Sequence, residues 1–311
     1  MRMRVLVTGG AGFIGSNLVD AYLNEGHEVI IIDDLSTGKR ENINPRATFY
    51  KMDIQDPRIE EVFREEKIEL VNHHAAQIDV RRSIKDPIFD AKVNVVGLLN
   101  LLERSVKYRV KKFIFASSGG VVYGEGDTLP AKETHPLDPL SPYGITKLIA
   151  EHYLHYYHTT HHLDYTVLRY GNIYGPRQDP SGEAGVVAIF INNILKGKEP
   201  VIFGDGEQLR DYVYIEDAVR ANLLCTTKGE GEVFNLGTGV GTSVNALLER
   251  IQEIMGTELQ PTYKPRREGE IYRNYLDSTK AREILGWQTR VDLDEGLRRT
   301  VKFFMNADGS R

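Results

Sequence analysis

The sequence predicts an α/β fold: a doubly wound, mostly parallel sheet with a second, smaller α/β lobe. Three observations carry this. A glycine-rich turn, Thr8-Gly9-Gly10-Ala11-Gly12-Phe13-Ile14-Gly15, lies between an apolar strand and a helical pattern. Further short apolar segments alternate with helical patterns, as in a parallel sheet covered on both faces. After about residue 172 the segments shorten and turn residues multiply.

Taken in order, residues 4–8 read as a buried strand. The glycine turn follows, then a helix over 13–25 that Gly26 ends, then a strand over 28–33, which completes a βαβ unit. Apolar strands recur at 69–73, 111–117 and 165–169, separated by helical patterns that include 88–104 and 143–158. Residues 1–172 therefore form a Rossmann domain. Pro176, Pro180 and Gly185 mark an irregular stretch. Short segments at 201–203, 211–215 and 233–236, helices at 244–255 and 278–285, and a last helix over 293–304 make the smaller lobe, 173–311. Segments of such lobes often exchange.

The bulk composition narrows the function. The 311 residues suffice for two lobes and a sizeable core. Hydrophobic content of 41% and charged content of 27% are ordinary for a soluble globular protein. A net charge of -5 gives no electrostatic case for nucleic acid or an anionic membrane. The first residues enter a strand without an apolar leader, and the run Val29-Ile30-Ile31-Ile32 is far too short to cross a bilayer, so a cytoplasmic location is expected. A lone Cys225 excludes an intrachain disulfide and a multi-cysteine zinc site. His152, His155 and His158 recur at three-residue spacing, with His161 and His162 close by. No His-Glu-x-x-His arrangement or carboxylate pattern completes a ligand set, so no metal is expected and the histidines read as a solvated or subunit-facing stripe.

The chemistry-bearing residues sit at strand ends. Gly9, Gly12 and Gly15 permit a tight turn and close approach of a pyrophosphate to the helix N-terminus. Asp33 and Asp34 close the second strand, where a carboxylate accepts from adenosine ribose hydroxyls and repels a 2′-phosphate, which favours NAD over NADP. Asp53 stands either beside the adenine or in a turn. Ala75 and Ala76 allow either close approach of a cofactor or tight helix packing. Ser117 and Ser118 end another strand, facing the crevice where such sheets bind ligands. Tyr143 and Lys147 are four apart, with Pro142 suited to a helix start, so they share one helix face. A Lys ammonium near the Tyr hydroxyl favours its phenolate and makes an acid/base pair. Arg210 and Arg267 suit either a diphosphate clamp or surface salt bridges.

This ordered set resembles the UDP-glucose 4-epimerases, also called UDP-galactose 4-epimerases, which are extended short-chain dehydrogenases acting on sugar nucleotides. The resemblance runs through Thr8 to Ser16, Asp33-Asp34-Leu35, Asp53-Ile54, Asn94-Val95-Val96-Gly97, Ser141-Pro142-Tyr143-Gly144-Ile145-Thr146-Lys147, Leu168 to Gly175, Arg210-Asp211-Tyr212-Val213 and Phe234-Asn235-Leu236-Gly237. It implies NAD-dependent inversion of carbon 4 of a UDP-hexose through a 4-keto intermediate, with Tyr143, Lys147 and Ser118 catalytic. It implies that Gly9, Gly12, Phe13 and Ile14 hold the pyrophosphate and Asp33 the adenine ribose. Asp53 and Ile54 then line the adenine pocket, and Ala75, Ala76, Gln77, Tyr143 and Lys147 flank the cofactor. Asn172, Arg210, Arg267 and Glu270 contact the UDP-sugar, and Asn274 walls the pocket beside carbon 2. Relatives pair through helices matching 88–104 and 143–158, which implies a homodimer.

The family pattern is broken at one place: Gly119-Gly120-Val121-Val122 puts one extra residue between the serines and Tyr123-Gly124. Strand register favours Ser118 as the catalytic hydroxyl, with Ser117 the alternative. A sugar-nucleotide 4,6-dehydratase needs an extra acid beside this serine, where Gly119 and Gly120 offer none. A non-catalytic NAD-sensing protein has no need of Tyr143 and Lys147.

Overall fold

The computed structural model describes residues 2–126, 128–181, 185–267 and 270–309. Strand alternation decides its layering. In β1 (Arg4–Thr8), Val5 and Val7 join one core and Leu6 the other. In β2 (Glu28–Asp33), Val29 and Ile31 oppose Ile30 and Ile32 in the same way. Successive strand side chains point to opposite faces, so uninterrupted apolar strands require cover on both.

That cover is helical. Helix Phe13–Asn24 packs with Ile215–Cys225 on one face. Helices Ile59–Glu66, Gly97–Lys107 and Pro142–His161 bury residues in the core of the other face. The remaining strands of the first lobe are β3 (Thr48–Lys51), β4 (Leu70–His73), β5 (Lys112–Ser118) and β6 (Asp164–Tyr170). The sheet runs Glu232–Leu236, β6, β5, β4, β1, β2, β3, all parallel.

Chain connections diverge from β1 and β4, so the crevice at their carboxyl ends is the switch point where such sheets bind ligands. Thr8 seals its floor: its Oγ1 lies 2.7 Å from His73 Nδ1 and accepts from the His74 and Ala75 amides at 3.2 Å.

Three small strand pairs build the rest. Asn172–Tyr174 runs parallel to Tyr212–Tyr214, Leu209–Arg210 antiparallel to Thr242–Ser243, and Val201–Phe203 parallel to Thr262–Lys264. Helices Val186–Leu195, Val244–Met255 and Leu293–Gly309 pack together beside them.

Several elements differ from the sequence reading. The segment expected at 233–236 in the smaller lobe instead adds a strand to the main sheet beside β6. β3 has no apolar run because it is a short edge strand with no buried residue. The helix expected over 88–104 is broken into Pro87–Ala91, a π-type turn at Lys92–Val96, and Gly97–Lys107. A Cβ on Gly97 would stand 2.6 Å from Ile54 Cδ1, so Ile54 would have to shift to admit one. Among the described residues no helix is long and apolar enough to cross a membrane.

Candidate active site

The glycine turn is shaped by backbone crowding. Gly9 has φ +69°, and a Cβ on it would lie 2.7 Å from the Ala75 nitrogen. A Cβ on Gly15 would meet the Gly9 carbonyl oxygen at 2.1 Å. At Gly12, by contrast, only that same oxygen comes near, at 3.1 Å, so one side of the turn is open. Gly12 caps helix Phe13–Asn24 without any side-chain hydrogen bond, so the amides of the first turn, with half-buried Phe13 and Ile14, are left to an anion. This is the cradle a dinucleotide pyrophosphate requires.

Asp33 and Asp34 diverge. Asp33 is buried, accepting from Ala11 N and Leu35 N at 2.9 Å each. Burial pushes its carboxyl up against the pull of those amides. Asp34 is exposed and accepts from the Ser36 amide and hydroxyl. Asp53 is likewise exposed and accepts from the Gln55 amide, which is the turn role. Ile54 packs in the core against Gly97. Ala75 and Ala76 are half-buried at the end of β4, and buried Gln77 follows.

Strand register separates the two serines. Ser117 is buried and donates to Glu151 Oε1 at 2.5 Å, so its hydroxyl is committed beneath the sheet end. Ser118, on the opposite face of β5, is half-buried and makes no side-chain cap to the short Gly119–Val122 helix that follows.

Tyr143 opens the Pro142–His161 helix, with Pro142 at its first position and Ser141 Oγ accepting from Gly144 N at 3.1 Å. Lys147, one turn later, donates from Nζ to the Ala116 carbonyl at 2.8 Å and lies 5.8 Å from the Tyr143 ring centroid. Both side chains are buried. The expected stabilisation of a phenolate by Lys147 is outweighed here. Burial, then Asp90, pushes the Tyr143 hydroxyl up. Burial brings Lys147 down to about 8, against the pull of Asp90 and Glu151. His73 and His74 close the floor, the first pushed well down by burial and the second to about 3.

Across the crevice, Asn172 begins a strand of the smaller lobe, its amide donating to the Asp211 carbonyl at 2.6 Å. Arg210 pairs with Glu270 at 3.1 Å, and Arg267 lies 3.8 Å over the Phe203 ring, with burial pulling its guanidinium down. Asn274 is buried and donates to the Gly119 carbonyl at 2.9 Å. Four buried polar atoms here have no hydrogen-bond partner among the described residues: Arg267 Nε, Glu270 Oε2, Asn274 Oδ1 and His74 Nδ1. Native proteins rarely leave such atoms unpaired. Three of them belong to residues the sequence singled out, Arg267, Glu270 and Asn274, which fits a polar ligand.

Sequence reasoning missed the layer beneath the pair. Glu151 stands four residues after Lys147 and grips Arg169 through contacts of 2.5–3.2 Å. Arg169 Nη1 donates to Tyr123 Oη, which donates to Asn235 Oδ1. The four-residue spacing Tyr143, Lys147, Glu151 is the signal that could have found it.

The model of the NAD dependent epimerase/dehydratase family matches residues 5–237. A UDP-glucose 4-epimerase from Mycolicibacterium smegmatis is 47% identical over 310 residues, covering 98% of this chain and 99% of its own. The crystal structure of a UDP-glucose 4-epimerase with UDP-glucose, from Thermotoga maritima, superimposes with a TM-score of 0.97 at 53% identity, covering 98% and 99% of the two chains. A UDP-N-acetylglucosamine 4-epimerase from Methanobrevibacter ruminantium, in complex with UDP-N-acetylmuramic acid, matches with a TM-score of 0.93 at 37% identity and the same coverage.

Proposed function

The chain belongs to the NAD dependent epimerase/dehydratase family, and from that premise we propose that it inverts carbon 4 of a UDP-hexose, UDP-glucose and UDP-galactose first among them. It is an isomerase whose cofactor is NAD. The carrying observation is the buried Tyr143–Lys147 pair beside an open glycine cradle and a cluster of unpaired polar atoms.

NAD, when bound, would supply the hydride-transfer chemistry at carbon 4 and a positive charge on its nicotinamide ring. The chain's residues do the rest. Tyr143 Oη takes the proton of the 4-hydroxyl and later gives it back, as general base and then acid. Lys147 keeps that oxygen competent, and Ser118 holds the 4-oxygen in place. Arg210 and Arg267 hold the diphosphate, with Glu270 at the uridine ribose and Asn172 on the sugar nucleotide. Arg210 is already paired with Glu270, so both are oriented before a diphosphate arrives. The turn glycines and first helical amides hold the cofactor pyrophosphate, Asp33 the adenine ribose and Ile54 the adenine pocket. Asp34 and Asp53 act from the rim.

A cytoplasmic homodimer completes the reading. Exposed Ile84, Ile88 and Val96, on the elements preceding Gly97–Lys107, and Ile145 and Tyr156 on the Pro142–His161 helix give apolar surface for a second copy. Tyr157 is not part of it, being buried with its hydroxyl on Glu103.

Purified protein is expected to interconvert UDP-glucose and UDP-galactose, with products separated by chromatography. Absence of both conversions would sink the proposal. Denaturing the same preparation is expected to release NAD(H) with little NADP(H), because the Asp33 carboxylate opposes a 2′-phosphate. Predominant NADP in the extract would reverse the cofactor preference.

Substrate breadth rests on Asn274. It is far smaller than tyrosine, and its buried Oδ1 has no hydrogen-bond partner among the described residues. UDP-N-acetylglucosamine is therefore expected to be epimerised as well. Asn274→Tyr should suppress that activity and spare the plain hexoses. Wild-type turnover confined to UDP-glucose and UDP-galactose would count against the size argument.

A further inference from the structure

Asp90 is fully buried, and no role in the chemistry has been given to it so far. It sits on the short Pro87–Ala91 helix, packed against the Pro142–His161 helix. Its Oδ1 accepts from Gln77 Nε2 at 2.8 Å and Asn94 Nδ2 at 3.1 Å, and its Oδ2 accepts from Thr146 Oγ1 at 2.8 Å. Thr146 falls between Tyr143 and Lys147 on the same turn, and its hydroxyl also reaches the Tyr143 carbonyl at 3.0 Å. Gln77 follows the alanines that flank the cofactor crevice, and its amide donates to Asn94 Oδ1 at 2.9 Å. One carboxylate thus ties the cofactor-flanking segment, the π-type turn at Lys92–Val96 and the catalytic helix together.

Resting on the acid/base reading of Tyr143 and Lys147, we propose that Asp90 is a positioning residue for that pair. Through the Thr146 hydroxyl it fixes the turn that carries both side chains, and it supplies a buried negative charge facing them. The other charged and titratable groups around the pair are Glu151 on the same helix, held by Arg169 of β6, and His73 and His74 at the end of β4. Glu151 is neutralised by its bidentate arginine and burial disfavours charge on the histidines, whereas the hydrogen-bond donors to Asp90 among the described residues are all neutral. A negative charge disfavours a phenolate and favours an ammonium. The same carboxylate therefore opposes ionisation of Tyr143 and supports the charge on Lys147.

The test uses purified holoenzyme. Asp90→Asn keeps the shape and removes the charge. Tyrosinate difference spectra, taken for wild type against Tyr143→Phe and for Asp90→Asn against Asp90→Asn/Tyr143→Phe, isolate the ionisation of Tyr143. It is expected to fall by about 1 pH unit in Asp90→Asn, with the acid limb of the rate profile, which reports the ionised base, moving the same way. An unmoved titration overturns the charge role. Thr146→Val removes the brace and leaves the charge. Turnover is expected to drop about 10-fold with KM little changed, and Thr146→Ser, which keeps the hydroxyl, to recover most of it. Full turnover in Thr146→Val overturns the positioning role, and decides the matter if Asp90→Asn does not fold. A wild-type protein without epimerase activity would instead overturn the reading of the site.

Discussion

Tyr143→Phe is expected to lower turnover of UDP-galactose by about 10²–10⁴-fold, the usual contribution of a general acid/base group. The fold and the bound NAD should survive. The reason is local: the ring packs as a buried residue, while its hydroxyl makes no hydrogen bond to the described residues. Removing that oxygen deletes chemistry without deleting a structural contact. Lys147→Ala is expected to fall in the same range, with some structural cost because Nζ also holds the Ala116 carbonyl. Turnover and released NAD(H) measured on one preparation separate the two effects. Near-normal turnover in Tyr143→Phe would place the proton-transfer group elsewhere.

The largest stability effect is expected at Glu151. The Glu151 and Arg169 side chains are 6% and 4% exposed, so neither charge has water to fall back on. Glu151→Ala strands the guanidinium and unpairs Ser117, which should cost about 3–5 kcal/mol by chemical denaturation. Arg169→Ala should cost a similar amount. Replacing both with apolar residues of matching volume should recover much of the loss, because the pair's own desolvation is removed with it. A loss under about 1 kcal/mol in Glu151→Ala would give the pair the weight of an exposed one.

What could be read in advance followed from how local the signal was. The glycine turn, the apolar strands and the Tyr143–Lys147 spacing are all encoded within a few residues, and the corresponding elements stand where they were expected. Family resemblance set Asp33 apart from Asp34, and the turn geometry gives the physical division into a buried acceptor and a solvated loop cap. Ser117 and Ser118 were separable by strand parity, which sends alternate side chains to opposite faces. The roles of Asp90, Glu151 and Arg169 depend on partners 13, 56, 34 and 18 residues away. No window of sequence holds both ends of such contacts.

The placement of Glu232–Leu236 has a consequence for the life history of the chain. Its pairing partner β6 ends at Tyr170, so that edge stays unpaired while the intervening residues emerge from the ribosome. A nascent chain of that length already holds the glycine turn, Tyr143 and Lys147, yet presents an open row of amides and carbonyls to its neighbours. Open parallel edges are templates for association between chains. The first lobe is therefore not a module that can be excised at the apparent boundary. It closes only when the later residues return a strand to it, which makes their synthesis a condition for the earlier sheet to remain monodisperse.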